Sequence, residues 1–398
     1  MFFSRLHSRA GRQLRFHVFF LQNAEMKKRK VVIAPDSFKG TLRATEVCRV
    51  WRSAFEYAYP EAELVCLPMA DGGEGSLEAV LCATGAERIE AIVSDPLGRE
   101  VKAHWALLPG NAAFIEAAEA NGLERISAEE RNPMVTTTYG VGQLMLDALG
   151  RGVRNITIAI GGSATVDGGA GMLQALGYRL LDSNGTDICP GGASLASLKS
   201  VIAPELPVFR LAVASDVVNP LLGEQGSANV FGPQKGATSE MVEVLEDGMR
   251  NYSDVMIASG LADSRDCPGD GAAGGLGFAL RAVLGGSISS GARLIADVVR
   301  LERHLEGADL LITGEGCSDS QTLFGKLPSV VAELAARHGV PTILCSGAVR
   351  DGDNALGNRF KAVFSTVMKA DSLQSVLEHA EDNLYRTACS IAAVLRMA

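Results

Sequence analysis

The sequence predicts an α/β protein built on a parallel sheet. Apolar runs such as VVIAP, AELVCLP, NITIAI and FRLAVAS lack polar alternation, which is typical of strands buried on both faces. Late in the chain, DLLITGEG, PTILCSG and KAVFSTV continue the pattern, with a helical PSVVAELAARHG between the first two. Strands that alternate with helices favour parallel pairing, with helices on the faces of the sheet. After VVIAP, helical spacing places these residues on one face: Val47, Val50, Trp51, Ala54, Phe55 and Ala58.

The middle of the chain has a different pattern. ERIEAIVSDPLGREVKAHWALLPGNAAFIEAA contains three β-like runs separated by DPLG and PGN, which predicts antiparallel strands. The chain has 398 residues, and single cores stop growing at roughly 250–300 residues, so two domains are expected. We predict an α/β domain made of residues 26–70 and 287–398. A second domain with a mixed sheet, residues 71–286, is inserted between these two segments.

Residues 1–25 are expected to be a leader without ordered structure. The segment from Met1 to Ala24 contains four arginines and no acid. A transit peptide is one interpretation, although its apolar FHVFFL is too short for the core of a secretory signal. We favour an appended leader or an upstream start, with Met26 opening the domain.

Composition argues against several classes of protein. The net charge of −9 argues against nucleic acid or an anionic membrane as the main partner. No stretch approaches the ~18 continuous apolar residues of a membrane span. The eight cysteines lack C-x-x-C spacing and the six histidines do not cluster with them, so a zinc site is not expected. The thiols fit a reducing cytoplasm, and the sequence leaves homo-oligomer formation open.

Five apolar runs end in a loop of small residues that carries an acid. In open α/β sheets, ligands bind beyond the carboxyl ends of the strands, so several such loops can share one cleft. A single loop is more simply a solvated turn with a capping Asp or Ser, but five together favour a site. The candidates are Asp36, Ser37 and Lys39 in APDSFKG, Asp71 and Glu74 in PMADGGEGS, Ser163, Thr165 and Asp167 in IGGSATVDGG, Ser215, Asp216 and Asn219 in VASDVVNP, and Glu315, Ser318 and Asp319 in LITGEGCSDSQT.

The glycine-rich stretch IGGSATVDGGAGM, residues 160–172, has two interpretations. Successive N–H groups at the start of a helix bind anions, and glycine lets the backbone approach a phosphate closely. Tight packing of a helix on a sheet requires bare backbone equally. Walker and nicotinamide-binding loops are not indicated, because G-x-x-x-x-G-K-[ST] does not occur and no G-x-G-x-x-G follows the first strand. PGDGAAGGLGFAL, residues 268–280, has the same two interpretations.

Three lysines lie beside glycine in loops: Lys39, Lys235 in FGPQKGAT and Lys326 in LFGKLP. Loop lysines are usually only solvated. Phosphoryl transfer, however, needs cations and Mg²⁺ on the phosphates, carboxylates on the metal and an acid at the acceptor hydroxyl. The residue types in these loops match that set. They do not match a Ser-His-Asp hydrolase, because no G-x-S-x-G occurs.

Seven motifs, taken in order, resemble the bacterial glycerate kinase family. They are APDSFKGTL, ADGGEGS, RNPMVTTTYGVGQL, IGGSATVDGGAGMLQALG, FGPQKGAT, PGDGAAGGLG and ITGEGCSDSQTLFGK. The resemblance runs from about Lys30 to the C-terminal NLYRTACSIAAVLRMA. It implies an ATP-dependent kinase that phosphorylates D-glycerate to 2-phosphoglycerate with Mg²⁺. It also implies that the discontinuous domain is Rossmann-like.

The resemblance also carries site residues, to which we assign hypothetical roles. Asp319 is the predicted proton acceptor, with Glu315, Lys39 and Lys326 as the other catalytic residues. Asp167 and Asp216 are the predicted metal ligands, directly or through water. Arg131 would pair with the glycerate carboxylate, although bracing its own loop is the commoner role of such an arginine. The predicted substrate- and phosphate-binding residues are Asp36, Ser37, Asp71, Glu74, Arg131, Gly161, Gly162, Ser163, Ala164, Thr165, Asn219 and Lys235.

Two positions depart from the family pattern. Val166 stands where the family usually has Asn, and Cys317 stands where it usually has Arg. A thiol does not replace an arginine contact to phosphate. One alternative is therefore a catalytically weakened protein that senses glycerate or a nucleotide, and a second is a kinase for another short hydroxy acid. The retained acids and lysines argue against the sensor, whereas the choice between glycerate and another short hydroxy acid stays open.

Overall fold

The computed structural model describes residues 28–265, 267–350, 354–367, 369 and 371–397. The predicted leader, residues 1–25, lies outside this part of the chain. The strands are β1 (Lys30–Ile33), β2 (Glu63–Cys66), β3 (Glu87–Ser94), β4 (Glu100–Leu108), β5 (Ala112–Glu116), β6 (Asn155–Ala159), β7 (Arg179–Leu181), β8 (Ser200–Ile202), β9 (Arg210–Ala214), β10 (Ser287–Ser289), β11 (Leu310–Thr313), β12 (Cys317–Asp319), β13 (Thr342–Ser346), β14 (Ala348–Arg350) and β15 (Ala362–Ser365). The helices are α1 (Ala44–Ala58), α2 (Ser76–Thr84), α3 (Ala118–Asn121), α4 (Tyr139–Gly150), α5 (Ala170–Ala175), α6 (Ser227–Phe231), α7 (Ser239–Ala258), α8 (Leu276–Phe278), α9 (Gly291–Val298), α10 (Leu301–Leu305), α11 (Leu327–Arg337), α12 (Leu373–Glu378) and α13 (Ala380–Met397).

Both ends of the chain form the first sheet. Its five strands are parallel and lie in the order β15-β13-β11-β1-β2. Strand β11 is buried throughout, as expected for a central strand with helices on both faces. Helix α1 packs against α13, and both contribute side chains such as Trp51 and Ile391 to one apolar cluster. The predicted parallel sheet is confirmed.

The middle of the chain forms a second, mixed sheet in the order β10-β9-β6-β5-β4-β3. Strands β10, β9, β6 and β5 are parallel, whereas β4 and β3 pair antiparallel, as the DPLG and PGN turns predicted. Ser287 of β10 pairs with Ala212 of β9, although the predicted division placed residue 287 in the other domain. The division itself stays a prediction, and this pairing moves its second boundary beyond Ser289.

An apolar cluster connects the two sheets. Val32 and Leu311 contribute from the first sheet and Phe114 from the second, with α2, α9 and α11 supplying further buried side chains. Burying each large apolar side chain stabilises this contact by roughly 1.5–3 kcal/mol. The cluster therefore holds the carboxyl ends of strands from both sheets at a common cleft. None of the described helices combines the length and apolarity needed to cross a membrane.

Candidate functional site

A cavity of about 580 Å³ lies where loops from both sheets meet. The loops follow β1, β2, β11 and β13 of the first sheet and β9 of the second. This is the location that the strand-end rule predicts, and the volume lies within the roughly 300–1,000 Å³ of ligand pockets. The predicted site residues that line it are Asp36, Ser37, Lys39, Asp71, Asp216, Glu315 and Lys326.

Asp36 is the most deeply buried of the cavity acids, with 9% of its surface exposed. Its N–H donates to the Gly314 carbonyl at 2.9 Å, which ties its loop to the end of β11. The N–H of Ser37 donates to Asp36 Oδ1 at 2.7 Å. Burial, followed by repulsion from Asp71, raises the pKa of Asp36 to about 7. This carboxylate can therefore accept a proton near neutral pH.

Lys39 and Asp71 form an open ion pair at the cavity. Lys39 Nζ lies 3.7 Å from Asp71 Oδ2, and the lysine side chain is 79% exposed. Such an exposed pair contributes only about 0–1 kcal/mol to folding. The ammonium group is thus available to an anionic ligand, while Asp71 is held by the N–H of Gly73, which donates to its Oδ1 at 3.0 Å.

Asp216 brings the second sheet into the cavity. It follows β9, and its Oδ1 accepts from the N–H of Gly291, the first residue of α9, at 3.0 Å. A carboxylate in this position is favoured by the helix dipole. The Asp71 loop lies close to the same strand end at Gly72, which has φ of +90°. A Cβ at this position would lie 3.0 Å from the Ala214 carbonyl oxygen, so the close approach favours glycine.

Glu315 and Asp319 organise the loop after β11. Glu315 Oε1 accepts from the hydroxyls of Ser318 at 2.9 Å and Thr322 at 2.7 Å. Asp319 Oδ1 accepts from the N–H of Gln321 at 2.9 Å and lies 3.7 Å from Lys326 Nζ. Glu315 and Lys326 line the cavity, whereas Asp319 does not. The loop thus presents Glu315 and Lys326 to the cavity, whereas Asp319 is bonded within its own turn.

The cavity also contains residues that sequence reasoning did not single out. Arg350 ends the short strand β14, and the strand-end rule applied to β13 and its neighbour could have found it. Phe324 and the apolar side chains of α12 also line the cavity. They carry no sequence signal of a site, since apolar residues in a helix predict packing first.

The predicted metal ligand Asp167 does not reach the cavity. It is fully buried, and its Oδ2 accepts from the N–H and hydroxyl of Thr138 at 2.8 and 2.9 Å. The N–H groups of Gly169 and Gly171 also donate to this carboxylate, each at 3.2 Å. Burial raises the pKa of Asp167. These bonds occupy the N–H groups at the start of α5 that an anion would need, so they favour a structural role, and metal binding by Asp167 stays a prediction.

Close packing accounts for four glycines of residues 160–172, whereas Gly162 is required by its φ of +76°. A Cβ on Gly161 would lie 2.6 Å from the Gly73 Cα, and one on Gly171 would collide with the Thr137 hydroxyl. Gly169 has φ of +77° and faces Ala279. In the second glycine-rich stretch, Asp270 is likewise buried and paired with Arg281 Nε at 2.6 Å. Of the two interpretations of these glycines, packing explains the observed contacts.

Lys235 supports the same loop from inside the protein. Its ammonium group donates to Ser163 Oγ at 2.8 Å and to the Thr165 carbonyl at 2.7 Å, and it is almost completely buried. Burial lowers the pKa of Lys235 to about 7. Its contacts therefore fix the loop from residue 163 to 165, and phosphate binding by Lys235 stays a prediction.

The remaining predicted residues also lie outside the lining of the cavity. Gly162 is exposed, and Ala164 is buried, with its N–H donating to the Asn121 carbonyl at 2.8 Å. Asn219 Nδ2 donates to the Gln225 carbonyl at 2.8 Å. Partial burial and the neighbouring Glu124 raise the pKa of the exposed Glu74. The Arg131 carbonyl packs against Gly236, the residue that follows Lys235. This backbone contact supports the loop that carries Lys235.

Comparison with known proteins identifies the family of this chain. Residues 31–396 match the glycerate kinase family. The chain belongs to the glycerate kinase family. A curated relative from Escherichia coli K12, named glycerate 2-kinase, is 44% identical over 92% of this chain and 98% of its own length. A glycerate kinase from Bacillus subtilis 168 is 43% identical over 93% of this chain and 98% of its own length.

A solved structure supports the same assignment at the level of the fold. The crystal structure, described as a glycerate kinase 2 from Salmonella typhimurium LT2, is 42% identical and has a TM-score of 0.83. The match covers 93% of this chain and 99% of that chain. Membership of the glycerate kinase family makes this chain a kinase, an enzyme that uses a nucleotide.

The two departures from the glycerate kinase pattern lie in different surroundings. Val166 is fully buried in the apolar cluster of the second sheet, so its effect is on packing. Cys317 lines the cavity and is half-buried. Only the second departure can touch a ligand directly.

The lining of the cavity has charged residues of the kinds that bind the phosphates of a nucleotide. Lys39, Lys326 and Arg350 supply positive charge to it. Among the described residues, no group of three or more His, Cys, Asp or Glu side chains is placed to hold a metal ion alone. Kinases, however, usually hold Mg²⁺ through one or two carboxylates together with substrate phosphates and water. Asp71 and Asp216 suit that mode of binding.

Proposed function

We propose that this chain transfers the γ-phosphoryl group of ATP to D-glycerate, with Mg²⁺, and forms 2-phosphoglycerate. The observation that carries the proposal is one cavity that combines Asp36, Lys39 and Lys326 with Asp71 and Asp216. The relative named glycerate 2-kinase supports both the acceptor and the phosphorylated carbon.

In the proposed reaction, Asp36 accepts the proton of the glycerate hydroxyl as the hydroxyl oxygen bonds to the γ-phosphorus. The bond from this phosphorus to the leaving ADP breaks in the same displacement. The ammonium groups of Lys39 and Lys326 bind the phosphates and stabilise the charge on the transferred group. Mg²⁺, held by Asp216 and Asp71, would neutralise further phosphate charge.

We assign the proton to Asp36 rather than to Asp319, the base that the sequence predicted. Asp319 lies outside the cavity lining, and its carboxylate is engaged by Gln321. Asp36 lines the cavity, and burial raises its pKa to about 7, close to the value that suits a general base at neutral pH. Asp319 remains the alternative base, and the pairing of Arg131 with the glycerate carboxylate remains a prediction.

A coupled assay of ADP formation with D-glycerate and Mg·ATP tests the proposal. We expect ADP release that depends on both D-glycerate and Mg²⁺, and a product spectrum by ³¹P and ¹³C NMR with phosphate on carbon 2. Tartronate and lactate in the same assay test the other hydroxy acids. Turnover with one of them and none with D-glycerate would contradict D-glycerate as the acceptor. Phosphate on carbon 3 of the product would contradict phosphorylation at carbon 2.

Cys317 favours a second candidate function. A thiol replaces the arginine of the family pattern in the cavity itself, which supports a weakened protein that senses glycerate or a nucleotide. Binding of Mg·ATP and D-glycerate by calorimetry, without ADP formation above background, is the result that this candidate predicts. Cytoplasmic location and homo-oligomer formation stay predictions for both candidate functions.

A further inference from the structure

An apolar wall, made of Phe324, Leu373, Leu377 and Ala380, forms part of the cavity lining. Phe324, in the loop before α11, is 83% exposed, and Leu373, the first residue of α12, is 74% exposed. Leu377 of α12 and Ala380 of α13 continue this lining. Large apolar side chains gathered on a cavity and left open to water indicate a surface that a ligand covers.

The charged residues of the same lining indicate what kind of ligand this is. Lys326 follows Phe324 by two residues, so one loop supplies both a ring and a cation to the same cavity. Lys39 and Arg350 add positive charge to the lining. A ligand that satisfies both the cations and the apolar wall has an anionic part and a flat, apolar part. A nucleoside triphosphate has this form.

We propose that the nucleobase of the phosphoryl donor stacks on Phe324 in the apolar wall and makes only apolar contacts with the described side chains of this wall. This inference rests on the proposed function and adds the donor's specificity to it. The side chains of Phe324, Leu373, Leu377 and Ala380 have no donor or acceptor. The hydroxyl of Thr366, another lining residue, already donates to the Gly347 carbonyl at 3.2 Å.

This arrangement predicts a broad choice of purine nucleotides. Apolar pockets discriminate between similar ligands by about a hundredfold at most, whereas sites that hydrogen-bond a ligand's polar groups reach about 10⁴-fold or more. We therefore expect kcat/KM with GTP to lie within about a hundredfold of kcat/KM with ATP, at saturating D-glycerate and Mg²⁺. A larger preference for either purine would overturn binding by apolar contact alone.

Replacing the ring tests the position of the base. Stacking on an aromatic side chain is worth about a tenfold change in affinity. Phe324→Ala should therefore weaken ATP binding by about tenfold, and Phe324→Trp should restore it. Tripolyphosphate, which has no base, should bind the wild type and Phe324→Ala equally. Tyr57→Ala is the matched control, because Tyr57 is 77% exposed but does not line the cavity.

Calorimetric titration with ATP and with tripolyphosphate keeps this test separate from the proposed reaction, since neither binding measurement requires turnover. Equal weakening of both ligands by Phe324→Ala, or no weakening of ATP, overturns the base position. If D-glycerate proves not to be the acceptor, the ATP and tripolyphosphate comparison still decides where the base binds. Because the Phe324 side chain is largely exposed, the melting temperature of Phe324→Ala should match that of the wild type.

Discussion

The loop of residues 34–40 and the loop of residues 160–169 both follow a strand and both carry an acid, yet their acids lie in opposite surroundings. Asp36 faces a cavity and accepts from the neighbouring Ser37 N–H. Asp167 is enclosed and accepts from Thr138, Gly169 and Gly171. Burial raises the pKa of both acids. Burial alone therefore does not mark a reactive acid, because the open space beside the carboxylate and its existing hydrogen bonds decide what it can do.

The largest effect should come from removing the base in the cavity. Asp36→Asn keeps the side chain's shape but cannot take up the proton, so kcat should fall by about 10²–10⁴-fold. The melting temperature should change little, since the amide oxygen can still accept from Ser37. Asp319→Asn is the matched control, and we expect its kcat to stay within about threefold of wild type. A larger fall in kcat for Asp319→Asn than for Asp36→Asn would show that Asp319 is the base.

The enclosed acid should affect stability instead of turnover. Asp167→Asn replaces one acceptor oxygen with an NH₂ group, which would face N–H and hydroxyl donors. A buried polar group left without a hydrogen-bond partner costs about 1–3 kcal/mol. Because several bonds share this carboxylate, the free energy of unfolding should fall by about 3 kcal/mol, as measured by urea denaturation. A stable variant that has lost its Mg²⁺ dependence would instead support the predicted metal ligand.

Much of the arrangement could be predicted because strand ends follow from the apolar runs. LLIT and NITIAI predicted buried parallel strands, and the rule that ligands bind beyond such strands brought Asp36, Asp71 and Asp216 together. The sequence did not distinguish Asp167 from these acids, because anion binding and close packing both require bare backbone beside an acid. The apolar wall around Phe324 was also missed, since exposure of an apolar side chain depends on tertiary packing and not on local pattern.

The buried lysine should give the smallest effect, visible through pH. Burial lowers the pKa of Lys235 to about 7 in the folded protein, so between pH 7 and the ordinary value near 10.5 the unfolded chain binds more protons. The wild type should therefore gain stability as pH rises through this window, by at most about 1.4 kcal/mol per pH unit. Lys235→Met lacks this gain, so the difference between the two proteins should grow from pH 7.5 to 9.5. A constant difference would show that Lys235 stays protonated in the fold.

The pH dependence of kcat/KM for D-glycerate, at saturating Mg·ATP, tests the role of Asp36 most directly. Its carboxylate must be ionised to accept the proton, and its pKa is raised to about 7. We therefore expect a level rate at alkaline pH and a tenfold fall per pH unit on the acid side, in wild type and Asp319→Asn alike, because a protonated Asp36 cannot accept the proton. A rate that stays constant down to pH 5.5, or a fall that disappears in Asp319→Asn, would contradict it.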